Sequence, residues 1–286
     1  MSIQLGLIGQ KISQSRSPAL QNLMGKIHQL DLSYHLVVPD DVGEAGFKCA
    51  LNELVEQGYT GTNVTYPYKQ IALQHTTSMD KAAKRVGATN TLKFSAGKIT
   101  ATNTDYTGFI GAYRSRRAEQ PAGDVLLLGA GGVGRAVAFA LQELKVRKIY
   151  IFDLNTEGAQ NLVDALNAEG MDSQVTSYEQ LADVSKSVDG LINCTPIGHR
   201  DSPGNPLPAD CFGGQRWAFD AVYVPIDTEF LIKAKSSGLE IISGFDLFLF
   251  QAVDAFTYFT GQPVNFAEVK ARFLEHEQIH SDLLSL

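Results

Sequence analysis

Gly129, Gly131 and Gly134 stand at the spacing G-x-G-x-x-G, and Asp153 follows about 20 residues further on. Glycines at this spacing permit a tight turn and close approach of backbone to a ligand. A helix N-terminus directly behind them offers free N–H groups and a partial positive charge, which suits a pyrophosphate. The surrounding residues supply that context. VLLLG reads as a buried strand before the turn, and RAVAFALQEL reads as an amphipathic helix after it. The alternative is a tight strand–helix turn that holds no nucleotide. Asp153 closes the next strand, where a ribose-binding acid is expected. Its carboxylate can accept hydrogen bonds from ribose hydroxyls and repels a 2′-phosphate by a few kcal/mol at about 5 Å and an effective dielectric near 20. No Lys or Arg occurs from Ile149 to Ser185 to clamp such a phosphate. NAD is therefore favoured over NADP. A basic residue arriving from elsewhere, such as Arg135, is what would reverse that preference.

A second group of polar residues lies in the first 105 positions, in four clusters: Ser15-Arg16-Ser17-Pro18, Asn63 to Lys69, Gly87 to Thr91, and Thr102 to Asp105. The first reads as a helix start, with Ser17 as N-cap and Pro18 as first helical residue. Two hydroxyls and helix N–H groups meeting there also suit a carboxylate. The fourth reads as an N-cap for a helix beginning near Tyr106. Taken singly, each cluster is ordinary. Together they set Ser, Thr, Lys, Asn and Asp at several C-terminal strand ends, facing the cleft where open α/β sheets bind ligands. A polyol acid needs this mix of neutral hydrogen-bonding groups and one proton-transfer pair.

The elements that must hold these groups alternate between strand-like and helix-like patterns. Strands are expected at 5–9, 33–39 and 59–65, with helices from about Pro18 to Gln29 and up to Gly58. A second series starts at Asp124, with strands at 146–153, 188–196 and 217–223. Residues 199–214 are rich in Pro, Gly and Asp and read as a loop. A long helix over 244–260 precedes a last helix from about Phe266 to Leu284. The expectation is an α/β protein of two domains with a cleft between them. One is a mainly parallel substrate-binding (catalytic) domain formed by 1–105 and about 250–286. The other is a Rossmann dinucleotide-binding domain over 106–249.

Composition narrows the classes. A chain of 286 residues with 44% hydrophobic and 19% charged residues falls in the globular range. A net charge of −7 without a basic block gives no footprint for nucleic acid. The N-terminus lacks a signal-peptide pattern, and Asp246, Gln251 and Asp254 interrupt the most apolar segment, so no membrane span is expected. Three scattered cysteines, Cys49, Cys194 and Cys211, form neither a disulfide framework nor a zinc spacing, and the simplest inference is a cytoplasmic protein. His276-Glu277-Gln278-Ile279-His280 spells H-E-x-x-H, which on a helix would set both histidines on one face. Its polar flanks and terminal position read instead as a solvated helix, and no metal is expected.

These clusters in this order resemble the shikimate/quinate dehydrogenase family along nearly the whole chain. Ser15 and Ser17 fall in the family's S-x-S-P carboxylate site. Lys69 takes the place of the catalytic lysine in N-V-T-x-P-x-K, and Thr65 that of a substrate ligand. Asn90 falls in G-A-x-N-T. Asp105, in N-T-D, would pair with Lys69. Tyr223 resembles the substrate-facing tyrosine, and Gly244 and Gln251 fit G-x₆-Q, with Gln251 reaching the substrate. Gly129, Ala130, Gly131, Gly132 and Val133 match the cofactor loop, and the resemblance adds Thr195, Val222 and Gly244 to the cofactor side. Lys11, Gln14 and Gln21 stand where the family commonly has Pro, His and His. Asp153-Leu154-Asn155-Thr156 departs from the N-R-T-like segment of NADPH-using members and looks like the NAD-dependent bacterial quinate/shikimate branch.

The resemblance implies an enzyme, monomer or homodimer, moving a hydride between NAD and the ring hydroxyl of shikimate or quinate, to give 3-dehydroshikimate or 3-dehydroquinate. Lys69 would take the proton and Asp105 would orient it. An amine acts as base only when neutral, which desolvation or a nearby positive charge favours. Other readings are an NADP-dependent biosynthetic shikimate dehydrogenase, a relative using an amino-substituted analogue, and a nucleotide-sensing module without catalysis. The last has no need of Lys69 with Asp105.

Overall fold

The structure is a computed structural model and describes residues 2–284. The chain divides into two compact units, with the boundaries at Thr107/Gly108, Phe248/Leu249 and Ile279/His280. The first unit runs to Thr107 and takes in Leu249–Ile279; the second holds Gly108–Phe248 and the segment from His280.

The first unit contains β1 (Ile3–Ile8), α1 (Ser17–Ile27), β2 (Leu32–Val37), α2 (Glu44–Glu56), β3 (Gly61–Val64), β4 (Ser78–Met79), α3 (Lys81–Val86), β5 (Thr91–Ser95) and β6 (Lys98–Thr102). The next helix, α4 (Thr104–Arg117), begins in this unit and continues in the second. The sheet order is β2-β1-β3-β5-β6-β4. Its pairs are parallel except where β5 runs antiparallel to both β3 and β6. The sequence reading passed over the β5–β6 hairpin. Its two-residue turn, Ala96-Gly97, has φ of 48° and 73°, the primed geometry that matches the twist of paired strands.

Alternation along β1 builds the core on both faces of this sheet. Leu5 and Leu7 pack with Ile12, Tyr34, Ala255 and Phe259. Ile8 packs with Phe47, Leu51, Leu54 and Tyr68 on the opposite side. A strand buried on both faces reads as a continuous apolar run, as LGLIG does.

The second unit carries β7 (Gly123–Leu128), α5 (Gly132–Ala140), β8 (Val146–Phe152), α6 (Thr156–Ala168), β9 (Asp172–Val175), α7 (Leu181–Ser187), β10 (Gly190–Asn193), β11 (Trp217–Asp220), α8 (Glu229–Ser236) and β12 (Glu240–Ser243). All five strand pairs are parallel, in the order β12-β11-β10-β7-β8-β9. This is the doubly wound order in which the chain starts at the centre and fills one side, then the other, leaving its crevice outside the carboxyl ends of β7 and β10. Leu126 and Leu128 pack with Leu181, Leu191, Phe230 and Leu231.

Two helices remain, α9 (Gly244–Thr260) and α10 (Phe266–Glu277). The last helix stops at Glu277 rather than near Leu284. Gln278 adopts the left-handed conformation at φ 49° and closes the helix, with its N–H bonded to the Glu275 carbonyl. The segment that follows packs on the second unit: the Ser281 hydroxyl and the Asp282 N–H donate to Asp227, and Lys235 donates to the Leu283 carbonyl. His276 and His280 therefore do not share one helix. No helix among the described residues is long and apolar enough to cross a membrane.

Candidate active site

The four polar clusters of the first unit reach one edge of its sheet because of the strand directions. Residues after β1, β3 and β6 leave at the carboxyl edge of parallel strands. Asn90 precedes β5, which runs the other way and so begins at that same edge. The sequence reading placed Asn90 at a C-terminal strand end; it stands before an N-terminal one, and the antiparallel pairing is what brings it into the group.

Lys69 and Asp105 meet there. Lys69 Nζ donates to Asp105 Oδ2 at 2.6 Å, with Lys69 9% and Asp105 6% exposed. The pair is held from behind. The Lys69 carbonyl accepts from the Thr89 N–H at 2.8 Å. Asn90 Oδ1 accepts from the Thr104 N–H at 2.7 Å, and Asn90 Nδ2 donates to the Thr104 hydroxyl. Asn63 accepts from the Tyr34 hydroxyl and donates to the Asn90 carbonyl and to Thr91. Asn90 thus helps to fix the start of α4, with one amide hydrogen uncommitted among the described residues. That helix begins at Thr104, earlier than the expected Tyr106, because Asn103 caps it by accepting from the Tyr106 N–H at 3.1 Å. The earlier start places Asp105 in the first turn.

A buried ion pair is expensive unless its remaining donors and acceptors are also satisfied. Here Lys69 has one partner for three ammonium hydrogens, and Asp105 Oδ1 has none among the described residues. This spare capacity suits a hydroxyl that both donates and accepts.

α1 is preceded by Arg16 at the N-cap, with no side-chain cap, so Ser17 is the first helical residue and Pro18 the second. The expected Ser17 cap is replaced by a local turn in which Ser15 Oγ accepts from the Ser17 N–H at 3.2 Å. The Ser15 hydroxyl hydrogen and the whole Ser17 hydroxyl stay uncommitted among the described residues. Both can donate to a carboxylate, along with the Ala19 N–H, since the Ser17 N–H is taken and Pro18 has none. The Thr65 hydroxyl is likewise uncommitted. Gln251 lies on α9, one residue from Ala252, whose carbonyl accepts from Gln21 Nε2 at 3.0 Å. Tyr223 belongs to the second unit, its ring stacked 5.0 Å from Phe248.

In the second unit the glycine loop has the shape a dinucleotide requires. Gly129 holds φ at +94°, and a Cβ there would meet Cys194 backbone atoms at 2.8 Å. A Cβ on Gly134 would lie 1.9 Å from the Gly129 carbonyl oxygen, so only glycine lets α5 start this close to the turn. Gly131 faces open space, with nothing within 4 Å of a Cβ, and α5 has no side-chain cap over its first N–H groups. Asp153 is aimed by two backbone donors, Ala130 N–H at 2.6 Å and Asn155 N–H at 2.8 Å. The Arg135 guanidinium lies over the Phe139 ring, one turn along its own helix, at 5.4 Å. These residues fit NAD. Ala130, Gly132 and Val133 complete the loop. Gly244 opens α9, where a Cβ would meet the Ala221 carbonyl oxygen at 2.4 Å.

The sequence reading named Thr195 and Val222 but missed what holds them. Asp220, fully buried at the end of β11, accepts from Asn193 Nδ2 (2.9 Å), the Val222 N–H (3.0 Å) and the Thr228 hydroxyl (2.6 Å). The signal was present: an acid closing the apolar strand WAF is uncommon in a core. Burial pushes the Asp220 carboxyl up to about 7, against the pull of those hydrogen bonds. The folded state therefore binds this proton more tightly than the unfolded chain, where an Asp titrates near 4. The stabilising contribution is full below about pH 4 and is lost as pH rises through about 7, at up to ~1.4 kcal/mol per pH unit. Asp220→Asn is expected to remove that slope. Urea unfolding of both proteins at pH 5 and pH 8 checks it, and equal slopes would refute it.

Residues 7–92 match the family model described as the shikimate dehydrogenase substrate-binding domain, and residues 125–200 match that of the saccharopine dehydrogenase NADP-binding domain. A quinate/shikimate dehydrogenase (NAD(+)) of Corynebacterium glutamicum (strain R) is 36% identical over 280 residues, covering 96% of this chain and 98% of its own. A shikimate dehydrogenase (NADP(+)) of Arthrobacter sp. (strain FB24) is 35% identical, covering 96% and 95%. The solved structure of quinate dehydrogenase from Corynebacterium glutamicum in complex with NAD matches with a TM-score of 0.88 at 35% identity, over 96% of this chain and 99% of that one.

Proposed function

The chain belongs to the shikimate/quinate dehydrogenase family, and from that premise we propose that it oxidises a ring hydroxyl of shikimate or quinate with NAD, using Lys69 and Asp105 as the reacting pair. The observation that carries this reading is the buried Lys69–Asp105 contact at 2.6 Å with unfilled hydrogen-bonding capacity on both sides.

NAD supplies the hydride acceptor. The substrate carboxylate is held by Ser15, Ser17 and the first turn of α1. Thr65 and Gln251 contact the ring substituents. The hydroxyl to be oxidised lies against Lys69 and Asp105. With Lys69 in its neutral form, that proton passes to Nζ as the C–H electron pair leaves as hydride for the nicotinamide cofactor and the C–O bond becomes a carbonyl. In the reverse direction the ammonium returns the proton to the carbonyl oxygen. Asp105 accepts from Lys69 and fixes where its nitrogen points. Asn90 holds the helix that presents Asp105 through its bonds to Thr104, and its second amide hydrogen is left to reach the substrate. We place the reaction in the cytoplasm, in keeping with three free cysteines.

The test crosses NAD and NADP with shikimate and quinate and follows absorbance of the reduced cofactor. Reduction of NAD by either acid supports the reading. Absence of turnover in all four combinations would overturn it, and turnover preferring NADP would overturn the role given to Asp153.

That role makes a separate prediction. The Asp153 carboxylate is pinned by two N–H groups at the end of β8, so it cannot swing away from a 2′-phosphate without breaking both. Asp153→Asn keeps an acceptor and removes the charge. The ratio of kcat/KM for NAD to that for NADP is expected to fall at least about tenfold, given a repulsion of a few kcal/mol. An unchanged ratio would show that something other than charge excludes NADP.

A further inference from the structure

Asp220 is a fully buried carboxylate that the proposed chemistry leaves unused. Its partners form two arms. One runs through Asn193, whose Oδ1 accepts from both the Thr195 N–H (3.0 Å) and the Thr195 hydroxyl (2.7 Å), and whose Nδ2 also donates to the Ile197 carbonyl. The other goes straight to the Val222 N–H. A third bond, from Thr228, ties the same carboxylate to the cap of α8, where the Thr228 hydroxyl accepts from the Leu231 N–H. The loops that follow β10 and β11 are thereby anchored to one side chain. They carry Thr195 and Val222, and they leave the carboxyl edge of the sheet, where doubly wound folds bind dinucleotides.

All three partners of Asp220 donate, so the position calls for a group that accepts on both oxygens. Asparagine would set an N–H against the Thr228 hydroxyl. Among the described residues no cation bonds to Asp220: its partners are an amide, an N–H and a hydroxyl. Burying a carboxylate without a cation is costly. The place where the fold accepts that cost is the base of the two loops.

We propose that Asp220 is a positioning residue for the dinucleotide, holding Thr195 through Asn193 and Val222 directly so that both loops are set before NAD arrives. The inference rests on the NAD reading above. It also separates two kinds of residue on the cofactor side. Gly129 to Gly134 and Asp153 meet the ligand themselves; Asp220 and Asn193 act through the backbone they hold.

The test is direct binding of NADH, read from its fluorescence, to wild-type protein and to Asp220→Ala, Asp220→Asn and Asn193→Ser, with folding checked by cooperative unfolding. Asp220→Ala is expected to raise the Kd for NADH and the KM for NAD about tenfold or more, the size that follows from leaving buried donors unpaired. The KM for the ring acid and kcat at saturating NAD stay within about twofold. Asp220→Asn keeps an acceptor for Asn193 and Val222 and restores most of the affinity. Asn193→Ser breaks the arm to Thr195, with the bond to the Ile197 carbonyl in the same loop, and leaves the Val222 and Thr228 bonds to Asp220 in place. It is expected to raise the Kd at least about threefold, and it decides the matter should Asp220→Ala fail to fold. Folded variants that bind NADH as tightly as wild type would overturn the inference alone. Wild-type protein that does not bind NADH would overturn the NAD reading and the inference with it.

Discussion

Lys69→Ala is expected to lower kcat by at least about 100-fold, the range general-base removal produces, while NADH binding is unchanged. Lys69 bonds to Asp105 and to no other side chain among the described residues, so its ammonium does no other structural work. The turn that carries it is held by backbone, through the Lys69 carbonyl and the Thr89 N–H. Loss of the side chain removes the proposed proton acceptor without moving that turn. It also leaves the Asp105 carboxylate buried without its cation, so stability falls too, and kcat must be measured well below the unfolding temperature. Lys69→Met, which keeps the length of the stem, separates packing from chemistry: it is expected to be as inactive as the alanine variant. Asp105→Asn keeps an acceptor for the ammonium and is expected to retain more activity than either. If kcat survived in Lys69→Ala and only the KM for the ring acid rose, Lys69 would be a binding residue and the proton would go elsewhere.

The second large effect is on stability. Arg117 is 2% exposed on α4, with its guanidinium bonded to the Tyr113 hydroxyl (3.1 Å), Gln120 Oε1 (2.9 Å) and Glu240, and lying within 6 Å of the Tyr113 and Trp217 rings. Arg117→Ala is expected to cost about 3 kcal/mol, within the range for a large-to-small change in a core. Glu240 is half-exposed and water can solvate it once the arginine is gone, so the uncompensated charge is cheap. The larger part of the cost is the cavity left beside Tyr113 and Trp217. Arg117→Met fills most of that space and is expected to lose less. Trp217 is the single tryptophan of the chain, so its fluorescence during urea unfolding reads the effect at the site itself. Equal losses in the two variants would mean that the charge, and not the packing, holds this part of the second unit.

Much of the candidate site was legible because local rules fix it. The glycine spacing, the apolar strand before it and the amphipathic helix behind it together demand a strand–turn–helix, and Gly134 has no room for any other residue. Asp153 follows from the length of one α5–β8 passage. The alternation of strand and helix gave the two-unit α/β architecture, because periods of 2 and 3.6 are written into neighbouring residues. The helix ends were less legible. Arg16 in place of Ser17, Thr104 in place of Tyr106 and Glu277 in place of Leu284 were each settled by a single backbone turn that several residue types can adopt.

By itself, then, the sequence determined which residues could do the chemistry and the kind of sheet that would carry them. Strand order and direction decided which of those residues meet. The antiparallel course of β5 turns Asn90 toward the edge where β1, β3 and β6 end. The Asn103 cap sets Asp105 opposite a lysine 36 positions earlier. The burial of Asp220 joins Asn193, Val222 and Thr228 into one anchor. The reason is one of range: periodicity and capping act over a turn or two of chain, whereas a buried polar contact across tens of residues exists only once the packing around it has closed.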